Sequence, residues 1–474
     1  MGGSFCVKML WFAGLALLAA CIRCASTEVR PSFTPPSRPS RIGKSMGHQS
    51  PEIRGTPFPG KMDAAFGWLM EDHDTAPKPY AYRRLTRSRS STIDTVAEPL
   101  NTYSSTAVRS YIEEGPLFHL VAPTVGSLTD ELPQWMDRGK LLSDDLGYEW
   151  SALSTAQAAR IFHYYLPVYF WIHSFCKRKR EAGGLQMTAA PAAPAPSGGD
   201  VGTAGRPMKG EGALLVGFSA PQGCGKTTLV TFLKTLFEQE GLTCTVVSID
   251  DFYLTGEEQE QLARAYPDNP LLRYRGNAGS HDLPLGRDTL MRLQSAKKGT
   301  SVAVPRYDKS LREGRGDRAP QGQWPTVEGP VDVVLCEGWM FGFPPLSDDD
   351  PALDGDPNLQ LVNRLLRGYE QWDELMDAWI AIQIGDPKWV YDWRLEQEQA
   401  MKSSGKPGMT DQQVGDFVDR FMPAYRAYLP HVYSNGWKAD RPVLRVQIDK
   451  SRSPIPLADT PTPQLLKQYF NKEV

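Results

Sequence analysis

From Ala213 onward, short and almost unbroken apolar runs alternate with segments whose apolar residues recur at helical spacing. The runs occupy 213–219, 243–249, 331–336, 377–384 and 443–448. Strands that are apolar at successive positions have no solvated face, so the pattern predicts a parallel sheet covered by helices on both faces. After the first run, Leu229, Phe232, Leu233, Leu236 and Phe237 share one helical face, and Gly241 ends it. A helix is also expected from Asp386 to Gln397. Another starts at Thr410-Asp411-Gln412-Gln413, with Val414, Phe417, Val418 and Phe421 inward.

Upstream, 106–182 reads as a helical subdomain. Ser154-Thr155-Ala156-Gln157 is a capping box that opens an aromatic-rich run, Ala158 to Tyr165. These aromatics, with His163 and His173, are expected in the core. Residues 52–105 are polar and read as a linker. The Ala/Pro/Gly-rich stretch 183–212 cannot pack a core and reads as a linker or surface insertion. The P-loop-bearing domain is expected over 213–474.

The first 51 residues read as an address. Lys8 precedes the apolar run Met9 to Ile22, which is too short to span a membrane as a mature helix. A basic, acid-poor stretch rich in Ser and Pro follows, with Arg23, Arg30, Arg38, Arg41 and Lys44 against Glu28 alone. A signal-like segment followed by a transit-like one resembles the bipartite presequences of plastids enclosed by extra membranes. Leu18-Ala19-Ala20-Cys21 also matches a bacterial lipoprotein cleavage box, which stays open as the competing reading.

Composition narrows the classes. The 41% hydrophobic content supplies a core, and 52 basic against 55 acidic residues give no overall field for nucleic acid. Of seven cysteines, three lie in the leader and the other four form no CxxC, so neither a disulfide framework nor a zinc site is expected. No histidine pair has metal-ligand spacing. No membrane association is expected for the mature form.

The chemistry concentrates where the first run meets its helix. Ser219-Ala220-Pro221-Gln222-Gly223-Cys224-Gly225-Lys226-Thr227-Thr228 lies between strand and helix, the setting of a phosphate-binding P-loop. Its backbone N–H groups and the helix N-terminus suit the phosphates of ATP. Lys226 would reach the β- and γ-phosphates and the Thr227 hydroxyl would ligate Mg²⁺. Residues 220–228 form the expected nucleotide site, although Ala220 stands where the usual pattern has glycine. Cys224 lies inside this loop, where a helix N-terminus lowers a thiol pKa and burial opposes it, and a thiol reagent is expected to inhibit, with protection by ATP.

Asp250 and Asp251 close the second run, where a base for an acceptor hydroxyl would sit, and Glu337 closes the third, where an acid orients Mg²⁺. The intervening stretch carries Arg275, His281, Arg306, Tyr307 and Lys309 on a glycine-rich backbone, suited to a small anionic acceptor. Arg394, on the helix after the fourth run, would stabilise the transferring phosphoryl group. A guanine-reading Asn-Lys-x-Asp is not found, since Asn471-Lys472 is followed by Glu473-Val474, and no Leu-Ser-Gly-Gly-Gln occurs. A kinase is therefore favoured over a nucleotide switch or a transporter ATPase.

Taken together, Gly217 to Thr228, Ile249 to Thr255, Arg275 to Leu283, Pro305 to Ser310 and Glu337 to Phe343 resemble plant-type D-glycerate 3-kinases. More distantly they are similar to uridine kinase, phosphoribulokinase and pantothenate kinase. The resemblance runs from about Tyr111 to the C-terminus. It implies a P-loop kinase fold with ATP and Mg²⁺, and Asp250 as the aspartate that activates the acceptor. It also implies conversion of D-glycerate to 3-phospho-D-glycerate, the closing step of photorespiration in chloroplasts. Another hydroxylated acceptor (a nucleoside, a sugar phosphate or a pantothenate-like compound) is the alternative.

Overall fold

A computed structural model describes residues 105–125, 127–184, 212–405 and 408–457. The expected presequence over 1–51, the 52–105 linker apart from Ser105, and most of the 183–212 linker lie outside the described residues.

Among the described residues ten strands follow in chain order: β1 Leu214–Ser219, β2 Cys244–Ser248, β3 Ser301–Ala303, β4 Tyr307–Asp308, β5 Asp317–Arg318, β6 Thr326–Glu328, β7 Val333–Gly338, β8 Ala378–Ile384, β9 Val443–Ile448 and β10 Pro454–Ile455. Six form the central sheet in the order β10-β9-β8-β1-β7-β2, parallel except for the edge strand β10. β3 pairs with β6 and β4 with β5 in two small antiparallel ribbons. In β1, β7 and β8 every residue is buried. Successive side chains point to opposite faces of a sheet, so burial at every position means that both faces are covered. That is the architecture expected from the unbroken apolar runs.

The strand order turns around β1. After β1 the chain crosses to β2, returns to fill the gap with β7, and only then adds β8 on the other side of β1. Such a switch opens a crevice at the carboxyl ends of the central strands. Register fills that crevice with acid. Glu337 pairs with Phe218 of β1 and with Ser248 of β2, so it is held between the strand that feeds the P-loop and the one that ends in Asp250 and Asp251.

The upstream segment forms helices α1 Ser105–Glu113, α2 Phe118–Val125, α3 Leu128–Asp145 and α4 Leu166–Gly184. Before α4 the capping box is present in both halves: the Gln157 N–H donates to Ser154 Oγ at 3.3 Å, and the Ser154 N–H to Gln157 Oε1 at 2.8 Å. Residues Ala159–Tyr165 then wind as a π-helix. Ile161, Phe162, Tyr164 and Tyr165 are buried, as expected of core. This layer shares one core with the sheet. Tyr169 of α4 packs on Phe237, with ring centroids 4.9 Å apart, and Phe237 belongs to α5 Lys226–Gln239, the helix after the P-loop. His163 and His173 are structural, with Nε2 atoms 2.7 Å from the Tyr111 carbonyl and 2.8 Å from Glu240. Lys179, also from α4, reaches the amino ends of β1 and β8, where it donates to the Ala213 carbonyl at 2.9 Å and to Asp377 at 3.1 Å.

Candidate active site

The P-loop is built on two left-handed glycines. Gly223 has φ 78° and Gly225, which caps α5, has φ 90°. A Cβ on Gly223 would stand 2.6 Å from the Trp393 Cβ, so backbone conformation and packing both require glycine there. Ala220 is buried, and its φ is not positive. The first position of this loop therefore has no need of the glycine that the usual pattern carries. The Gln222 N–H donates to the Tyr425 hydroxyl at 2.9 Å, and Arg452 Nε donates to the Gly223 carbonyl at 2.7 Å.

Lys226 leads α5, with its ammonium 3.8 Å from Glu337 Oε2. Burial pulls the Lys226 pKa down, but Glu337, with Cys224 and Asp250, raises it above the usual lysine value, so it stays charged. Glu337 is buried, and its Oε2 has no hydrogen-bond partner among the described residues. Thr227 is half-buried in the first turn of α5, beside that carboxylate's lysine partner. Among the described residues no group of three or more His, Cys, Asp or Glu could hold a metal. Mg²⁺ at a P-loop needs less, since it keeps waters and phosphate oxygens as most of its ligands. One hydroxyl and one orphaned carboxylate oxygen fit it.

Cys224 corrects the picture of a thiol poised for reaction. It is 1% exposed, and burial pushes it up to about 11 despite the opposing pull of Lys226. The desolvation cost of a thiolate outweighs the helix N-terminus.

Asp250 and Asp251 lie on a short 3₁₀ turn, Ile249–Phe252, which Ser248 caps by accepting the Asp250 N–H at 3.3 Å. Adjacent residues on such a turn point apart and find different cations: Lys309 Nζ donates to Asp250 at 3.0 Å and Arg306 to Asp251 at 2.7 Å. Burial alone would raise both carboxyls. At Asp250 the charge and hydrogen bond of Lys309, aided by His281 and Lys226, override it and hold the pKa well below the carboxylate range. At Asp251 burial prevails over Arg306 and Lys309, and the pKa rises to about 6.

The glycine-rich segment is tied to this turn. Backbone bonds from Leu254 N–H to the Ser280 carbonyl (2.9 Å) and from Asp282 N–H to the Phe252 carbonyl (2.7 Å) flank a bridge between Tyr253 and His281. Their rings stack with centroids 4.5 Å apart. Trp339, just past Glu337, donates Nε1–H to the Gly276 carbonyl at 3.1 Å and fastens the segment to the sheet end.

Of the residues expected to act, Lys226, Glu337, Asp250, Asp251, Lys309, Arg306 and His281 converge on the carboxyl ends of β1, β2 and β7. Arg275 and Tyr307 stand behind them. The buried Arg275 donates to the carbonyls of Gly314 and Arg315 and stands 5.4 Å over the Tyr307 ring, which commits it to the turn between β4 and β5. Arg394 is not brought into the cluster. It is buried on Trp389–Ser403, paired with Glu398 and donating to Gln397 at 2.8 Å, so meeting a phosphoryl group would require leaving that pair. Sequence reasoning missed Arg452, Tyr425 and Tyr369. Arg452 is a left-handed residue (φ 66°) in the β9–β10 turn, and Tyr369 meets His281 from 88 residues away. No spacing or motif marks any of the three, because each acts through a contact that only the fold creates.

No family model matches the chain. It is 43% identical over 349 residues to the chloroplastic D-glycerate 3-kinase of Arabidopsis thaliana, an alignment covering 73% of this chain and 72% of that protein. A stretch of 253 residues, 51% of this chain, is 35% identical to an uncharacterized kinase of Schizosaccharomyces pombe and covers 90% of it. Among solved structures, D-glycerate 3-kinase of Cryptococcus neoformans var. grubii superposes with a TM-score of 0.51 at 32% identity, over 61% of this chain and 97% of that one.

Proposed function

Because the chain belongs to the D-glycerate 3-kinase family, we propose that it transfers the γ-phosphoryl group of ATP to D-glycerate, and that the crevice at the ends of β1, β2 and β7 divides the work as follows. The P-loop, residues 220–228, holds the phosphates, and Lys226 carries charge to the β- and γ-oxygens. Thr227 and Glu337 would hold Mg²⁺, which supplies further charge neutralisation on the phosphates. Asp250 accepts the proton of the acceptor's 3-hydroxyl. The hydroxyl oxygen forms the new bond to phosphorus, and the bond from phosphorus to the bridging oxygen breaks with its electron pair leaving on ADP. Lys309 and Arg306 set a positive field for the carboxylate of the acid.

The observation that carries this reading is Asp250 itself. It is ionised by Lys309 and lies within the electrostatic reach of Lys226, so an acceptor-side base and a phosphate-side cation share one crevice. Phosphoryl transfer is mainly positioning and charge stabilisation, so a weakly basic but permanently ionised carboxylate suits it. We assign the reaction to photorespiratory carbon recovery in the plastid. The support is the signal-like then transit-like composition of residues 1–51 and the chloroplastic relative.

ADP release across a panel of hydroxy acids, nucleosides and sugar phosphates tests the acceptor: D-glycerate is expected to lead, and preference for a nucleoside or sugar phosphate overturns the assignment. A reporter fused to residues 1–51 is expected in the plastid, and its arrival in the cytosol or a bacterial envelope would sink that localisation.

A further inference from the structure

Tyr369 is buried in the segment before β8, and its hydroxyl lies 2.6 Å from His281 Nδ1. The hydrogens of this contact follow from counting. The Gly279 N–H donates to the same phenol oxygen at 3.0 Å. A phenol has one proton to give and two lone pairs to offer. With that main-chain donor on the oxygen, its proton has one described acceptor, His281 Nδ1. If Nδ1 were the donor instead, the oxygen would take two N–H groups and the phenol proton would be buried with no described acceptor, which costs the desolvation of that group.

The ring is neutral, since burial brings the His281 pKa down to about 4 against the opposing pull of Asp250. A neutral imidazole that accepts at Nδ1 carries its hydrogen on Nε2. That atom is buried without a hydrogen-bond partner among the described residues, in a side chain 5% exposed. Stacking on Tyr253 and edge contacts with Tyr369 and Trp372 hold the plane of the ring, and the contact with the Tyr369 hydroxyl sets which nitrogen faces it. The main-chain bridge between Tyr253 and His281 holds it within electrostatic reach of Asp250. A buried donor left open next to the base calls for a ligand acceptor, and a hydroxy acid presents oxygen lone pairs at every position.

We propose that Tyr369 is a positioning residue that fixes His281 in the Nε2–H tautomer, so that Nε2–H donates a hydrogen bond to an oxygen of the acceptor substrate while Asp250 takes the proton of the attacking hydroxyl. This rests on the reading of the crevice as the glycerate site, but the tautomer itself does not.

Nitrogen NMR of the full chain labelled in histidine, with the His281 signals assigned by their loss in His281→Gln, reads the tautomer without substrate. The Nε2–H form is expected in the parent protein, and an Nδ1–H form overturns the proposal whatever the acceptor proves to be. Tyr369→Phe removes only the hydroxyl. It is expected to shift the tautomer signals and to raise the KM for D-glycerate roughly tenfold, the scale of one hydrogen bond, with the KM for ATP unchanged. Equal rises in both KM values would show a general structural loss and overturn the positioning role. His281→Gln, whose amide nitrogen can reach the Nε2 position, is expected to keep more glycerate affinity than His281→Asn, and the reverse order counts against the donor. Failure of the parent protein to phosphorylate glycerate would remove the functional reading and leave the tautomer result standing.

Discussion

Two lysine–carboxylate pairs sit at opposite ends of the same sheet and are built differently. At the amino end, Lys179 bonds Asp377 and the Ala213 carbonyl, while Asp377 also accepts the Leu215 N–H at 3.0 Å. Every connection leads back into the fold, and the pair pins α4 to the start of β1 and β8. At the carboxyl end, Lys309 bonds Asp250 at 3.0 Å amid buried polar atoms that have no hydrogen-bond partner among the described residues: Glu337 Oε2 and His281 Nε2. Asp250 is more open than Asp377, with 18% of its side chain exposed against 5%, and the two ends differ further in satisfaction. A closed network spends its hydrogen bonds on architecture, whereas an open one holds them for something that arrives.

The widest separation between the two is expected from removing one charge at each. Asp250→Asn keeps size and a hydrogen-bond acceptor but removes the base, so turnover is expected to fall roughly 10²–10⁴-fold. ATP affinity should hardly change, while some stability is lost with the counter-charge of the buried Lys309. Lys179→Met is expected to leave turnover alone, because it leaves Asp377 buried and unpaired at the far end of the sheet. It should cost about 3–5 kcal/mol of stability, with kcat/KM of the folded enzyme unaltered. Denaturation curves and steady-state kinetics on both variants check this. If Lys179→Met impaired catalysis in proportion to stability, or Asp250→Asn kept turnover within about tenfold, the division between a structural and a chemical end would collapse.

That division also marks what the sequence made legible. Unbroken apolar runs announced strands covered on both faces, and all five expected runs hold strands of the central sheet, with bounds within two residues. Ser154 and Thr410 announced helix starts because a capping box is local chemistry. The P-loop was legible for the same reason: its glycines, lysine and threonines act within one turn of the chain. Long-range partners were not. Nothing near Asp250 indicates Lys309, 59 residues on, and nothing near Gly223 indicates Arg452, 229 residues on. Arg394 and Arg275 show the converse. An arginine near a motif looks like an anion ligand until the fold supplies Glu398, or the carbonyls of Gly314 and Arg315, as its partner. Charge type can be read from sequence, but commitment cannot.

A smaller effect separates the two neighbouring aspartates. The Asp251 carboxyl is raised from 3.8 to about 6 by burial, against the lowering pull of Arg306 and Lys309, and Asp250 reinforces the rise. The unfolded chain therefore ionises Asp251 at lower pH than the folded one. Between those two values the unfolded state binds fewer protons, so this group's contribution to stability falls as pH rises and is constant above about 6. Activity should respond in the other direction, since protonation below about 6 deprives Arg306 of its counter-charge. Asp250, held far lower, stays ionised throughout, and the neutral His281 does not titrate there. Profiles of kcat/KM between about pH 5 and 8 should show an acid limb in the parent enzyme that Asp251→Asn removes, at a cost at neutral pH smaller than that of Asp250→Asn. A limb that survives in Asp251→Asn would assign it to another group.

The smallest expected effect is at Cys224, where the nucleotide end behaves like the structural end. Its thiol lies within the P-loop, between Gly223 and Gly225, yet it is buried and raised to about 11. At neutral pH only about one molecule in 10⁴ would then carry the thiolate, the form that attacks electrophiles. A small alkylating reagent at neutral pH should leave turnover with D-glycerate essentially intact, and mass spectrometry should find Cys224 unmodified whether or not ATP is present. Cys224→Ala should retain activity within about threefold while losing roughly 1 kcal/mol of stability, the cost of a small void in a packed loop. Rapid inactivation, with label on Cys224 and protection by ATP, would mean that the loop visits a conformation in which this thiol reaches solvent. Cys224 would then belong with the open cluster around Asp250 rather than with the closed packing that surrounds it.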